Sequence, residues 1–212
     1  MDDKLRARLR ARLSKAYDAK VAERDALIVP AWKRAERDAF IELMKRSGCK
    51  SVLEIGCGPG TDALHFRQMG LDVTCIDTSP NMVEACRDRN ITAHVMDCME
   101  LDFPDASFDA MYAMNSLLHV PKSSLPNVLA RIGRIVRPEG LIYIGVWGGR
   151  DFEGISEHDE YEPKRFFAFY RDDALREIIA EHFDIISFKS LDVRTDDKDV
   201  CFQSIVASVR VI

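Results

Sequence analysis

Between residues 51 and 148 short β-prone runs alternate with stretches of helical period, and that alternation leaves few folds open. "SVLEI" opens the series, and "TDALHFRQMG" after it reads as a helix stopped by Gly70. "DVTCI" is the second strand; Ser79 and Pro80 then supply an N-cap and a first helical residue for "NMVEACRDR". "ITAHVM" and "FDAMYAM" are the third and fourth strands, a helix is expected over 124–136, and "GLIYIGVW" is the fifth strand. The alternation of strand and helix predicts an α/β fold, a parallel sheet covered on both faces.

The flanks read more simply. Leu5, Leu9 and Leu13 recur every four residues with Tyr17 next on the same face, so an amphipathic helix starts the chain. Arg6, Arg8, Arg10 and Arg12 spread around its polar side, the pattern of a solvated face. A second helix is expected over 31–46, with Trp32, Ala35, Ala39, Phe40, Leu43 and Met44 on one side and Gly48 as its stop. After the fifth strand come "DDALREIIAEHF", a helix, and the strands "DIISFKSL" and "CFQSIVASV", parted by the polar turn "TDDKD". No repeat, low-complexity tract or linker interrupts the 212 residues, which suits one domain.

Composition narrows the function. A net charge of −5 gives no general attraction to nucleic acid or anionic membrane. No apolar run approaches a membrane span, and "MDDKLRARLR" has no signal-peptide core, so a cytoplasmic protein is expected. Cysteines 49, 57, 75, 86, 98 and 201 form no CxxC pair and most fall in apolar runs, as small buried hydrophobes in a reducing compartment do. The acids and histidines show no ligand spacing, so no metal is expected.

In an open α/β sheet, ligands sit beyond the carboxyl ends of the strands. The first strand ends in Gly56-Cys57-Gly58-Pro59-Gly60, followed by Thr61 where the dinucleotide fingerprint requires glycine. Glu54, two residues before this loop, would repel a pyrophosphate. The second strand ends at Asp77, whose carboxylate can accept from both hydroxyls of a ribose. The third ends at Asp97, which can accept from an exocyclic amine. Glycines, an acid for a sugar and an acid for a base, without a basic clamp, suit a neutral or cationic adenosine ligand. S-adenosylmethionine (SAM) is one.

"VLEIGCGPGTD", "CIDTSPNMVEACR", "DCMELDFPDASFDAMYAMNSLLHVP" and "VLARIGRIVRPEGLIYIGVWGG" together resemble the SAM-binding core of class I methyltransferases of the small-molecule type. The resemblance covers about residues 50–150 and is specific as an ordered set. It implies a Rossmann-like three-layer sandwich whose seven-stranded, mostly parallel sheet has an antiparallel last strand. It also implies a division into lid helices (1–48), a SAM-binding core (49–147), a substrate lid segment (148–170) and a C-terminal helix with antiparallel strands (171–212). Carried over by position, Glu54, Gly56, Cys57, Gly58 and Gly60 belong to the cofactor loop, with Gly56, Cys57 and Gly58 along its methionine part. Asp77 would hold the ribose, Thr78 and Met82 would flank the adenine, and Asp97, Cys98 and Met99 would frame its edge. Asn115 would lie beside the methyl donor, and Tyr17 in "AYDAK" would come from the lid. "RPEG" stands where the family usually has "KPGG", a difference confined to a turn.

His119 follows the fourth strand close to where the methyl group should point, and a neutral imidazole there could serve as general base. Its apolar setting, "SLLHV", equally suits a packed histidine bonded to backbone. Methyl transfer from a sulfonium demands no base, since alignment supplies much of the acceleration. The segment "GGRDFEGISEHDEYEPKRFFAFY" is far longer than an ordinary connection of about 2–6 residues. Its aromatics and acids suit a small aromatic, amine or peptide-like acceptor, with His119, Trp147, Phe167 and Tyr170 as the expected substrate contacts. The expected reaction is methyl transfer from SAM to a nitrogen or oxygen of a small molecule, leaving S-adenosylhomocysteine (SAH), by a monomer or homodimer. The arginine-rich start leaves a tRNA-modifying methyltransferase as an alternative, and a non-catalytic SAM-binding module or an NAD-dependent oxidoreductase ranks below it.

Overall fold

The computed structural model describes residues 3–193 and 200–211; "TDDKD" lies outside them. The first part of the chain is helical, with α1 (Asp3–Asp18), a short α2 (Val21–Asp25) that the sequence pattern did not announce, and α3 (Ala31–Arg46). The alternating series follows as expected: β1 (Ser51–Ile55), α4 (Thr61–Gln68), β2 (Asp72–Asp77), α5 (Pro80–Asp88), β3 (Thr92–Val95), β4 (Phe108–Met114), α6 (Leu125–Ile135) and β5 (Val136–Gly148). A hairpin of β6 (Phe152–Ile155) and β7 (Phe166–Phe169) comes next, then α7 (Asp172–His182), β8 (Phe183–Leu191) and β9 (Cys201–Val209).

Seven strands form one sheet in the order β3-β2-β1-β4-β5-β9-β8. The five strands of the alternating series run parallel, while β9 inserts between β5 and β8 and is antiparallel to both. The period of two along each strand divides the core. Leu53, Ile55, Met111 and Ala113 face the layer of α6 and α7. Val52, Ala110 and Tyr112 face α3, α4 and α5. On the second face Tyr112 stacks on Tyr143 at 4.8 Å, with Phe40 and Phe66 closing the cluster. This is the Rossmann-like three-layer sandwich the sequence implied. Segment 148–170 is an ordered hairpin whose β7 residues pack on the α6/α7 core, with Ala168 fully inside it.

Reversal of the strand order beside β1 opens the ligand crevice, and the opposite end of the sheet is closed by one side chain. Asp109 accepts the N–H groups of Lys50 and Ser51 at 2.7 and 2.9 Å, the Ser51 hydroxyl at 3.1 Å and Arg137 Nε at 2.7 Å. Burial pushes its carboxyl up, but these donors outweigh it and hold it down at about 2. A depressed native value means that the stabilisation is present above the ordinary carboxylate range and is lost as pH falls toward 2. Asp109→Ala, which leaves those donors unpaired, is expected to cost about 1–3 kcal/mol. Thermal melts at neutral pH should show it, and the gap to the unmutated protein should narrow in acid; an unchanged melting point would refute the assignment.

Candidate active site

The glycine loop, the ends of β2 and β3, the turn after β4, helix α1 and the start of β7 surround one cavity of about 860 Å³, measured out to its mouth. Its geometry begins with Asp77. One carboxylate oxygen accepts the Gly58 N–H and the other the Ser79 N–H, each at 2.9 Å. The acid at the end of β2 therefore ties the glycine loop to the start of α5. Each oxygen keeps acceptor capacity for a ligand. Burial pushes Asp77 up to about 6 against the pull of these two N–H groups. Ser79 caps α5, as its sequence position predicted, by accepting from the Met82 N–H at 3.1 Å. Asp97, also buried, caps the single helical turn Cys98–Glu100 through the Met99 N–H at 2.9 Å while lining the cavity.

Gly56 has a φ of +72°, and a Cβ there would run into Ser116, so the loop can pass under the β4 turn only as glycine. Asn115 and Ser116 line the cavity, and Asn115 Oδ1 and Ser116 Oγ are buried without a hydrogen-bond partner among the described residues. Buried polar atoms of this kind call for a ligand group or water.

A hydrogen-bonded chain closes the roof. Asp159 accepts the Arg165 guanidinium, at 2.6 Å from Nη2 and 2.9 Å from Nε. Arg165 Nη1 donates to the Tyr17 hydroxyl at 2.9 Å, and Tyr17 bonds His119 Nε2 at 2.9 Å. His119 Nδ1 lies 2.8 Å from the Phe166 carbonyl oxygen, which only accepts, so Nδ1 carries the proton and Nε2 accepts from Tyr17. Burial pushes His119 down to about 4, further lowered by Arg165 and opposed by the Phe166 carbonyl. Both ring nitrogens are thus engaged in a neutral imidazole, the arrangement of a packed histidine and not of a free base. The same helix docks elsewhere: Asp18 accepts from the Ser79 hydroxyl at 2.5 Å and the Asn81 N–H at 3.1 Å.

Of the residues singled out in the sequence, Tyr17, Gly56, Gly58, Asp77, Thr78, Asp97, Cys98, Met99, Asn115 and His119 line this cavity. Seven others do not. Glu54 points the opposite way along the pleat of β1, into the α4/α5 layer, where it is buried beside Cys75 and pushed well up by desolvation. Cys57 is turned under the loop, its sulfur 3.6 Å from that of Cys86. Gly60 is the left-handed N-cap of α4, and Met82 is wholly buried on α5. Trp147 packs against Trp32 and Phe202. Phe167 stands behind His119 with ring centroids 4.9 Å apart, and Tyr170 belongs to the α6/α7 core.

Sequence reasoning missed several residues. Leu9 and Leu13 turn the apolar stripe of α1 into a cavity wall with Arg10 and Arg24, the basic groups the crevice was expected to lack. Arg6 and Arg10 pair with Glu100 at 2.6 and 3.5 Å, and Arg12 donates to the Lys164 carbonyl, while Arg8 is exposed, so the face expected to be solvated is docked in part. Arg165 and Asp159 had no motif to mark them.

Residues 52–140 match the family described as a methyltransferase domain. Those residues carry a methyltransferase domain. The chain is 37% identical over 103 residues to 27-O-demethylrifamycin SV methyltransferase of Amycolatopsis mediterranei, covering 44% of this chain and 37% of that protein. It is 29% identical over 166 residues to demethylmenaquinone methyltransferase of Tropheryma whipplei, covering 76% of this chain and 61% of the relative. The chain thus spans between about a third and two thirds of these curated relatives' lengths. Among solved structures, 1,6-didemethyltoxoflavin-N1-methyltransferase of Burkholderia thailandensis, holding 1,6-didemethyltoxoflavin and SAH, shares the fold at a TM-score of 0.69 and 22% identity, covering 95% of this chain and 88% of its own.

Nitrogen-15 NMR of the histidines should find His119 neutral, in the Nδ1–H form, from pH 8 down to about 5. Titration near the ordinary histidine value would return it to the role of base.

Proposed function

We propose that the chain transfers a methyl group from SAM to a nitrogen or oxygen of a small-molecule acceptor, producing SAH. The observation that carries this reading is a roofed cavity with Asp77 at the end of β2, Asp97 two residues past the end of β3, and two buried oxygens, on Asn115 and Ser116, unpartnered among the described residues, in its wall.

The residues present fit that cofactor. Asp77 would take the ribose hydroxyls on its remaining acceptor sites, and Asp97 would take the adenine amine beside Thr78, Cys98 and Met99. Ile55, Ile76 and Met96 supply apolar walls. Asn115 Oδ1 and Ser116 Oγ would accept from the amino group of the methionine part. Arg24, which has no ion pair among the described residues, would meet its carboxylate. When bound, SAM supplies a methyl group on a sulfonium, a good leaving group for in-line displacement.

The chain's own contribution is positional. Tyr17 and His119 hold α1 against the β4 turn, and Arg165 joins the hairpin to both, so water is displaced from the space between them. His119, with both nitrogens engaged, is a positioning residue in this reading, and the acceptor's proton leaves to solvent after transfer. The roof is the main argument for a small acceptor, because α1 and the hairpin cover the space a polymer would cross. Three of the α1 arginines that favoured RNA, Arg6, Arg10 and Arg12, are engaged with Glu100 and with backbone. The glycine loop and Asp77 are intact, which disfavours a non-catalytic module.

No helix of the described residues is long and apolar enough to cross a membrane. All six cysteines are free, which suits a reducing cytoplasm.

Methyl-tritiated SAM incubated with the protein and a deproteinised cell extract is the direct test. Label is expected in the small-molecule fraction; label in a nuclease-sensitive RNA fraction would overturn the proposal.

A further inference from the structure

The fold gathers three thiols that sequence spacing keeps apart. Cys57 comes from the glycine loop, Cys75 from β2 and Cys86 from α5, and their sulfurs all lie within 4.8 Å of one another. Cys57 Sγ and Cys86 Sγ are 3.6 Å apart. Glu54 Oε2 is 3.7 Å from Cys75 Sγ, placing a buried carboxyl at the edge of the group. Three cysteines packed as hydrophobes need not converge on one point. Thiolates bound to one cation at about 2.3 Å sit about 3.8 Å apart in a tetrahedron and about 4.0 Å in a trigonal plane, and this cluster is close to that size.

We propose that Cys57, Cys75 and Cys86 form a binding site for a soft, thiophilic cation of the Cu(I) type. The donor set is sulfur, which selects soft ions over calcium or magnesium. Glu54 does not lie within the same reach of all three sulfurs, so the site offers three ligands, fewer than structural zinc ordinarily takes. Binding breaks three S–H bonds and forms three sulfur–metal bonds; the three protons go to solvent, and no oxidation state changes.

The site is coupled to the cavity by direct contacts. Cys86 Sγ lies 3.3 Å from the Gly58 carbonyl oxygen, while the Gly58 N–H donates to Asp77. A Cβ at Gly60 would come within 2.8 Å of Cys86 Sγ, so the loop rests on that sulfur. A cation held by all three sulfurs resets the spacing among them, and Cys57 lies in, and Cys86 against, the loop that carries Gly58, so metal loading should weaken ligand binding at Asp77.

The test is anaerobic competition for Cu(I) against bicinchoninate, using the full chain freshly reduced. The unaltered protein should withdraw one Cu(I) per chain, and its affinity for SAH should fall when loaded. Cys75→Ala and Cys86→Ala should each lose more Cu(I) affinity than the about 10–100-fold brought by losing an outer partner. Cys49→Ala should take up the ion like the unaltered protein. Circular dichroism and thermal melts establish that each variant is folded. X-ray absorption of the loaded protein, which needs no variant, should show only sulfur neighbours. No uptake, uptake undiminished in folded Cys75→Ala and Cys86→Ala, or oxygen and nitrogen neighbours would overturn the proposal. So would a mass lower by two hydrogens before reduction, with Cys57 joined to Cys86 as a disulfide.

Discussion

Asp77 holds the site together. Its two oxygens take one N–H from the glycine loop and one from the first turn of α5, so two segments from different βα units share a single carboxylate. The residue stands at the end of β2, where the strand order around β1 leaves a crevice. Burying that charge is unfavourable, as its raised value near 6 records, and the two backbone donors offset only part of the cost. A ligand that brings two hydroxyl donors to the same carboxylate completes the compensation. Loop shape and ligand preference therefore have one cause.

The second constraint is the roof. Helix α1 buries Ala16 and turns Leu9 and Leu13 to the cavity, and polar contacts fix it in place: Asp18 on the start of α5, Arg6 and Arg10 on Glu100, and Tyr17 on His119. Arg165 and Asp159 extend this chain into the loop between β6 and β7. The attachments meet above the cavity and link three segments far apart in sequence. Polar contacts of this kind let a covering element dock specifically without a large apolar interface. In the proposed reaction that specificity aligns the acceptor and excludes water, and no titrating base is required.

Much of the sheet was legible because its signals are local. "SVLEI", "DVTCI" and "FDAMYAM" carry their strand character in a few residues, and Ser79-Pro80 announces the start of α5. Asp77 and Asp97 were legible because a strand end in this architecture is also a site position. Orientation within an element was harder. Glu54 sits in the motif yet faces the α4/α5 layer, since the pleat sends neighbouring side chains to opposite faces. Met82, Trp147 and Tyr170 match in position but are consumed by packing. The roof chain was not legible as a unit because Arg165 and Tyr17 lie 148 residues apart: "AYDAK" marked Tyr17, but nothing local marks Arg165 as its partner. The convergence of Cys57, Cys75 and Cys86 likewise depends on the sheet bringing distant segments together.

Calorimetric titration of the protein and of Asp77→Ala with SAH and with NADH tests the central claim most directly. The unaltered protein is expected to bind SAH and not NADH, and folded Asp77→Ala to lose at least about tenfold in SAH affinity, roughly the 1.5–3 kcal/mol of a hydrogen bond to a charged group. Binding of NADH without SAH, or undiminished SAH affinity in Asp77→Ala, would contradict that claim.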